Sequence, residues 1–234
     1  MESGDSTPAP KPKRRRPRRR LKEGRRSEIS AATRIDILKS ASAAFRKLGY
    51  HGATVEQIAA ALHMNKGNLY YYFKSKEEIL FACHEYSHDR LQELLDQTCR
   101  GTAPAEAKLR RLIHAAVHVI LDELHGTALL VDLEALTPAH RRAVIERRDK
   151  FDHGMRMIIE DGISTGAFAS ANPKLIGFAM LGAINWIAKW FNPNGPSTSD
   201  EIASRFADYL IAGLRPLQSS VISHQSSVAG HQSI

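Results

Sequence analysis

The 234-residue chain is predicted to be all-α: an N-terminal three-helix unit built on a helix-turn-helix, then a larger C-terminal helical body. Three observations predict this class. Apolar residues recur at helical spacing from Thr33 to Leu214, prolines fall between those periodic stretches, and no run of alternating apolar and polar residues reads as a strand.

The element that decides the reading is Thr54 to Glu78, TVEQIAAALHMNKGNLYYYFKSKEE. Thr54 with Gln57 makes a capping box, and Val55, Ile58, Ala59 and Leu62 then give one apolar face to a helix ending at Ala61. Leu62, His63 and Met64 leave room only for a sharp turn. Asn65 caps a second helix, Lys66 to Phe73, whose front of Lys66, Gly67 and Asn68 offers little to a core. It does offer donors, a close backbone approach at Gly67 and a positive dipole end, which suit a phosphate-lined groove. Leu69 and Phe73 anchor that helix, while Tyr70, Tyr71 and Tyr72 place hydroxyls around its rim. Tyr71 and Tyr72 cannot both point inward with Phe73, so they are the stronger DNA candidates, with Tyr70 sharing packing and phosphate contact. Ser75 with Glu78 forms a second capping box. Lys76, a cation in a first helical turn, implies something anionic nearby.

Taken in order, residues 1–28 form a Pro- and Arg-rich arm with too few apolar groups to repay the entropy of folding, and disorder is expected. All of the formal charge of +8 lies there: residues 1–26 hold eleven Lys and Arg against three acids, and the other 208 residues hold 22 of each sign. The run KPKRRRPRRR has the charge density that binds nucleic acid by counterion release. From Thr33, a helix with Ile35, Leu38, Ala41, Ser42, Phe45 and Leu48 on one face ends at Gly49 and braces the helix-turn-helix. Tyr50 and His51 lead to the Thr54 cap, whose backbone amides can meet a phosphate.

The helix from Lys76 to about Thr98 leaves the first body and enters the second, the geometry of a lever. Pro104 starts a helix with a broad apolar stripe from Leu109 to Leu121, a short helical piece covers Ala128 to Leu136, and Pro138 opens a helix running to Thr165 before Gly166. Pro173 opens LIGFAMLGAINWIAKWF, apolar almost all round and therefore expected to be buried on several sides. Ser199 caps the last helix, and residues 216–234 read as a disordered tail. Cys83 and Cys99 lie about 24 Å apart on one helix, too far to bridge, which implies a reduced interior. No stretch reads as a signal peptide or a membrane span, so a soluble, cytoplasmic, nucleoid-associated protein is expected, with no membrane partner.

The run T-V-E-Q-I-A-A-A-L followed by K-G-N-L-Y-Y-Y-F-K-S-K-E-E-I-L resembles the DNA-binding domain of the tetracycline-repressor (TetR) family of bacterial transcription regulators. The resemblance covers residues 33 to 82. Family members usually carry Ala-Gly where this chain has Leu62-His63, a position that often takes a left-handed backbone. The resemblance implies that Lys66 and Asn68 face base edges, and that Tyr70, Tyr71, Tyr72 and Lys76 face phosphates. It also implies a homodimer formed through the last two helices, double-stranded DNA with a palindromic operator as partner, a small-molecule inducer, and a repressor rather than an enzyme, with no cofactor.

Domains are accordingly placed at 1–28, 29–82, 83–215 and 216–234. The stretches L-T-P-A-H-R-R-A-V-I-E-R-R-D-K-F, I-I-E-D-G-I-S-T-G-A-F and G-A-I-N-W-I-A-K-W-F-N-P-N-G are similar to the family branch that regulates fatty-acid and steroid breakdown and responds to acyl-CoA thioesters. Ligand contacts are expected at Phe178, Asn185, Trp186, Lys189, Trp190 and Arg148. Trp186, Trp190, Phe178 and Met180 would line an apolar channel, and Arg141, Arg142, Arg147, Arg148 or Lys189 would meet phosphates. The bland alternative makes the aromatics core or dimer contacts and the arginines a solvated face. Two other readings compete. His84-Glu85-Tyr86-Ser87-His88 matches the zinc-hydrolase pattern H-E-x-x-H, although its extended form would need Gly and His at Leu91 and Leu94, and His114 with His118 forms a further i, i+4 pair. The basic arm alone would suit a non-specific DNA-binding protein.

Overall fold

The computed structural model describes the backbone of residues 17–123 and 133–216, and the side chains from Ser30 within those ranges up to Asp122 in the first. Among the described residues there are eight α-helices and no strand. They are α1 (Pro17–Gly52), α2 (Val55–Ala60), α3 (Lys66–Tyr72), α4 (Lys76–Arg100), α5 (Ala105–His118), α6 (Pro138–Ser164), α7 (Pro173–Trp190) and α8 (Ser199–Ala212). A π turn, Val119–Glu123, prolongs α5, and a 3-10 turn, Leu133–Ala135, precedes α6.

The first helix corrects the expected arm: α1 begins at Pro17, so residues 17–28 are helical. Arg, Lys, Leu and Glu all have good helix propensity, and a Pro suits a first turn, so a low apolar content did not prevent helix formation there. Residues 1–16, the 216–234 tail beyond Pro216 and the expected helical piece before Leu133 lie outside the described residues. The helical run bends at Gly49, whose φ of +72° needs no Cβ, and the amide of Ala53 closes back onto its carbonyl at 3.1 Å. The buried face of α1 is Ile37, Leu38, Ala41, Ser42 and Phe45; Leu48, expected inside, is exposed.

Two apolar cores follow. One joins α1, α2, α3 and the start of α4 through Phe45, Ile58, Leu69, Phe73, Ile79 and Leu80, and also takes Leu136, just before α6, and Val144, in its first turns. The other gathers α4 to α8 around Leu109, Leu112, Ile113, Met155, Ile159 and Ile184. α4 therefore belongs to both, and α6 reaches across a boundary that the sequence placed at residue 83. α6 lies close on α4, since a Cβ built on Gly154 would collide with Leu95, and the segment after α6 folds back on it, since one on Gly162 would collide with Phe168.

Local signals largely hold. Thr54 and Gln57 exchange both capping-box hydrogen bonds, at 3.2 and 2.9 Å. Ser75 accepts from the Glu78 amide, but Glu78 Oε2 accepts from the amide of Lys74, one residue before the cap. The last helix is capped by Thr198, not Ser199, in a full capping box with Glu201. α7 is less buried than its composition suggests: Gly177, Met180, Ile184 and Ile187 face the core, while Leu175, Phe178, Trp186 and Trp190 are exposed.

Candidate nucleic-acid interface and effector cavity

The helix-turn-helix is held by its caps and by one strained residue. His63 takes φ +54°, the left-handed backbone expected at the turn, and the amides of Leu62, His63 and Met64 all return to carbonyls of α2. Asn65 Oδ1 then accepts from the amide of Asn68 at 2.7 Å, starting α3 with Leu69 and Phe73 pointing into the core. At the other end, Arg34 donates to the carbonyl of Tyr72 at 3.1 Å and lies 4.1 Å over the Phe73 ring. Arg34 is thus a positioning residue that sequence reasoning missed.

What α3 leaves outside is Lys66, Gly67, Asn68 and Tyr71, with Thr54 and Asn65 beside them. Tyr71 is 77% exposed and Tyr70 41%, whereas Tyr72 is half-buried, packed on the first core and edge-on to Tyr71 at 5.2 Å. Tyr72 therefore does more packing than expected. Lys66 is bound to Glu56 at 2.5 Å, a hydrogen bond that raises the lysine pKa and lowers that of the glutamate.

Lys76 departs from expectation. Its ammonium donates to the carbonyls of Tyr50 at 2.8 Å and Ala53 at 2.9 Å and lies 4.4 Å over the Tyr50 ring. Carbonyls at and just after the end of α1 supply the negative partners that its place in a first turn implied.

In the second body, a cavity of about 210 Å³ opens between α4, α5, the π turn, α6 and α7. Of the expected ligand contacts, Phe178, Asn185 and Arg148 line it. Trp186, Lys189 and Trp190 do not: they lie on the exposed side of α7, with Trp190 stacked on Phe206 of α8 at 6.2 Å. Met180 is core. The physical reason is rotation: on a 100°-per-residue helix, Trp186 and Trp190 point well away from Ile184, whereas Phe178 falls beside Asn185 at the edge of the cavity face. Nor do the other arginines meet the cavity: Arg141 pairs with Glu134 at 2.8 Å, and Arg147 pairs with Glu85 at 2.7 Å and with Asp89 at 3.4 Å.

The H-E-x-x-H residues are separated by the fold. Glu85 faces Arg147, while His84 and His88 are buried, their rings parallel and 6.4 Å apart, and His88 lines the cavity. Neither ring has a hydrogen-bond partner on either nitrogen. Burial, reinforced by the nearby charge of Arg148, lowers the pKa of His84 to about 3 and that of His88 to about 4, so both are neutral at pH 7. His118, from the other i, i+4 pair, is instead bound to Asp122 and Asp200. No cluster of three or more His, Cys, Asp or Glu suited to a metal ion occurs among the described residues. Cys83 is buried, and its thiol is pushed up to about 12, which makes it inert. No described helix is long and apolar enough to cross a membrane.

α6, which walls the cavity, is tied to α4 near the first body. His140 on α6 places Nδ1 2.8 Å from Glu77 Oε1 on α4 and stacks on Phe81 at 3.9 Å, and the amide of Thr137 donates to the same carboxylate at 2.9 Å. With the Arg147 pairs, two polar clamps join α6 to α4.

Comparison with known proteins agrees with this division. Residues 37–83 match the family model for bacterial regulatory proteins of the tetR family, and residues 102–214 match the tetracyclin repressor-like C-terminal domain. The HTH-type transcriptional repressor NicS of Pseudomonas putida is 33% identical over 190 residues, which are 80% of this chain and 88% of NicS. The TetR family transcriptional regulator PfmR of Thermus thermophilus superposes with a TM-score of 0.69 at 30% identity, over 77% of this chain and 99% of PfmR. AibR, solved in complex with isovaleryl coenzyme A and operator DNA, has a TM-score of 0.63 at 26% identity, over 77% of this chain and 96% of AibR. A helix-turn-helix with an outward-facing second helix, a separate helical body and these relationships together establish that the chain belongs to the TetR family of DNA-binding transcriptional regulators.

Proposed function

We propose that the protein is a dimeric repressor that holds a palindromic operator through α3 and lets go when an acyl-CoA thioester fills the cavity. The observation that carries this reading is that α4 is common to both cores and is clamped at two points to α6, which supplies the cavity wall. A ligand that favours one placement of α6 then favours one placement of α4, and the recognition helices move out of register: a population shift, not a new contact at the DNA.

On DNA, Asn68 and Lys66 reach base edges, Lys66 exchanging Glu56 for the nucleic acid, and Gly67 allows close approach. Tyr71, Tyr70 and the amides near Thr54 and Asn65 hold phosphates. Dimerisation uses the exposed apolar stripe of α7 together with Tyr209 on α8, which is 71% exposed. Two-fold symmetry then sets the recognition helices about 34–36 Å apart, on successive major grooves. The acyl-CoA class rests on the apolar cavity with its one arginine and on the likeness to AibR, which is solved with isovaleryl coenzyme A. The protein is read as a regulator without catalytic activity, acting in the cytoplasm at the nucleoid.

Footprinting of DNA from upstream of its own gene, in about 150 mM salt where weak non-specific contacts fade, tests the reading. A protected palindrome that persists without residues 1–26 and disappears with acyl-CoA is the expected result. Protection that acyl-CoA leaves intact would discard the inducer. Binding that depends wholly on residues 1–26 would instead favour a non-specific basic DNA-binding protein.

A further inference from the structure

The cavity carries a polar wall whose chemistry goes further than its shape. Most of the lining is apolar, from Leu91, Ile120, Phe151, Leu181 and Ile184. Against it stand Arg148 and His88. The guanidinium of Arg148 is half-buried, and its pKa is lowered by that burial. Among the described residues no carboxylate lies within ion-pair distance of it, although the two lining acids are close in sequence: Asp152 is held by Arg156 at 2.8 Å through Oδ2 while its buried Oδ1 has no partner, and Asp149 is exposed. Arg147, one residue away, has two acids. His88 is 4% exposed, and both of its ring nitrogens are unpartnered.

Buried polar groups are nearly always hydrogen-bonded, and leaving one unpaired is costly enough that an apolar residue would serve a purely structural wall better. A neutral imidazole offers one N–H donor and one acceptor; a guanidinium offers only donors. Asn185 adds an amide to the same lining. The set joins the unpaired guanidinium of Arg148 and the unpartnered ring of His88 to one unpartnered acceptor, Asp152 Oδ1, and adjoins an apolar chamber. An amine could meet Asp152 Oδ1 but would leave the donors of Arg148 facing a cation, and a plain hydrocarbon would leave every one of these groups unpaired.

We infer that the cavity recognises an acyl oxygen: Arg148 and the N–H of His88 hold the carbonyl or carboxylate oxygen of a ligand whose apolar chain lies against Leu91, Ile120 and Ile184. This rests on the proposed ligand-responsive regulator and adds the group that is recognised and the residues that recognise it. A free carboxylate and a coenzyme A thioester share that oxygen, and the experiment separates them. The design also explains why His88 persists unpartnered in a core beside the half-buried Arg148, since their partner arrives with the effector.

The test is calorimetric titration of the full chain with hexanoyl-CoA, hexanoate, hexylamine and coenzyme A, alongside operator binding in the same samples. Hexanoyl-CoA or hexanoate binds the wild type and hexylamine does not. Arg148→Met and His88→Leu each weaken that binding about ten- to hundred-fold, the loss expected for a hydrogen bond to a charged or buried group. Because both substitutions remove unpaired polar groups, the ligand-free variants melt at the same or a higher temperature than the wild type, which a merely structural role for either residue would not give. His88→Asn, which keeps a donor, retains more affinity than His88→Leu. The inference is overturned if the acyl probes bind wild type and Arg148→Met alike, if hexylamine binds as well as hexanoate, or if neither acyl probe binds. In each case operator binding reports separately whether the DNA-binding regulator stands, and release of DNA by hexylamine would keep a ligand-responsive regulator while removing the acyl oxygen.

Discussion

At the scale of single residues, His84 and His88 should make the fold acid-sensitive. Both are neutral in the folded chain, with pKa values lowered to about 3 and about 4, but near 6.5 when unfolded. The unfolded state therefore binds more protons below pH 6.5, and stability is complete above that pH and falls as the pH is lowered toward 4, by up to about 1.4 kcal/mol per unit for each histidine. Urea unfolding at pH 7.5 and pH 5 measures this, and the His84→Leu/His88→Leu double variant should lose most of the difference. An equal loss in both proteins would assign the acid sensitivity to other groups. Tyr71 and Lys76 make a second residue-scale contrast, because both were read from sequence as phosphate contacts. Tyr71→Ala, at an exposed site, should leave stability within about 0.5 kcal/mol and weaken operator binding, since only a DNA contact is lost. Lys76→Met should lower stability by about 1–3 kcal/mol, as the carbonyls of Tyr50 and Ala53 lose a charged donor. Urea midpoints and operator titrations on the two variants separate the roles. Tyr71 was legible because a row of aromatics on a seven-residue helix cannot all point inward. The partners of Lys76 were not legible, because carbonyls 23 and 26 residues away are brought to it only by folding.

At the scale of elements, what was legible follows the range of the interaction. Caps at Thr54, Asn65 and Ser75, the stops at Gly49 and Gly166 and the turn at His63 depend on neighbours within a few residues, and the sequence displays those neighbours. The side of α7 that faces inward depends on where α4, α5 and α6 place their own side chains, so Trp186 and Trp190 were assigned to a cavity they do not line. The signal for the true cavity wall was present in another form: His84 and His88 occupy core positions of α4 between Leu80 and Leu91, and polar residues at apolar positions mark a site even when the pattern they spell suggests zinc. The link between α4 and α6 is the functional consequence of this packing. Arg147→Ala removes two partly exposed ion pairs and should change stability by less than about 1 kcal/mol. It should nevertheless shrink the ratio of operator affinities measured without and with inducer several-fold, because one of two clamps carrying a coupling of typically about 1–3 kcal/mol is gone. Fluorescence anisotropy on labelled operator, with inducer affinity measured separately, checks this. An unchanged ratio would place the coupling in the Glu77–His140 clamp or in the shared apolar contacts.

At the scale of the whole molecule, the exposed face of α7 decides whether one chain can work alone. Leu175, Phe178, Trp186 and Trp190 form a single apolar stripe, with Trp186 62% exposed, and a soluble chain does not ordinarily present so much contiguous apolar surface unless a partner covers it. A two-fold dimer covers it with the same stripe of a second copy, so that one substitution near the axis appears twice and faces itself. Trp186→Arg then sets two like charges against each other in an apolar seam, while disturbing little within the chain, because the indole is mostly outside. The variant should sediment at half the wild-type mass and melt close to the temperature of any wild-type monomer seen at high dilution. Its operator affinity should fall more than about 100-fold, because the two recognition helices no longer share one binding event and the effective concentration that linked them is lost. Half-site DNA discriminates further: wild type and variant should bind an isolated half-site with similar weakness, since the front of α3 is intact in both. If Trp186→Arg keeps the dimer mass, the seam runs instead through Tyr209 and the outer face of α8, and the α7 stripe belongs with Phe178 at the mouth of the cavity, where an effector rather than a second chain would cover it.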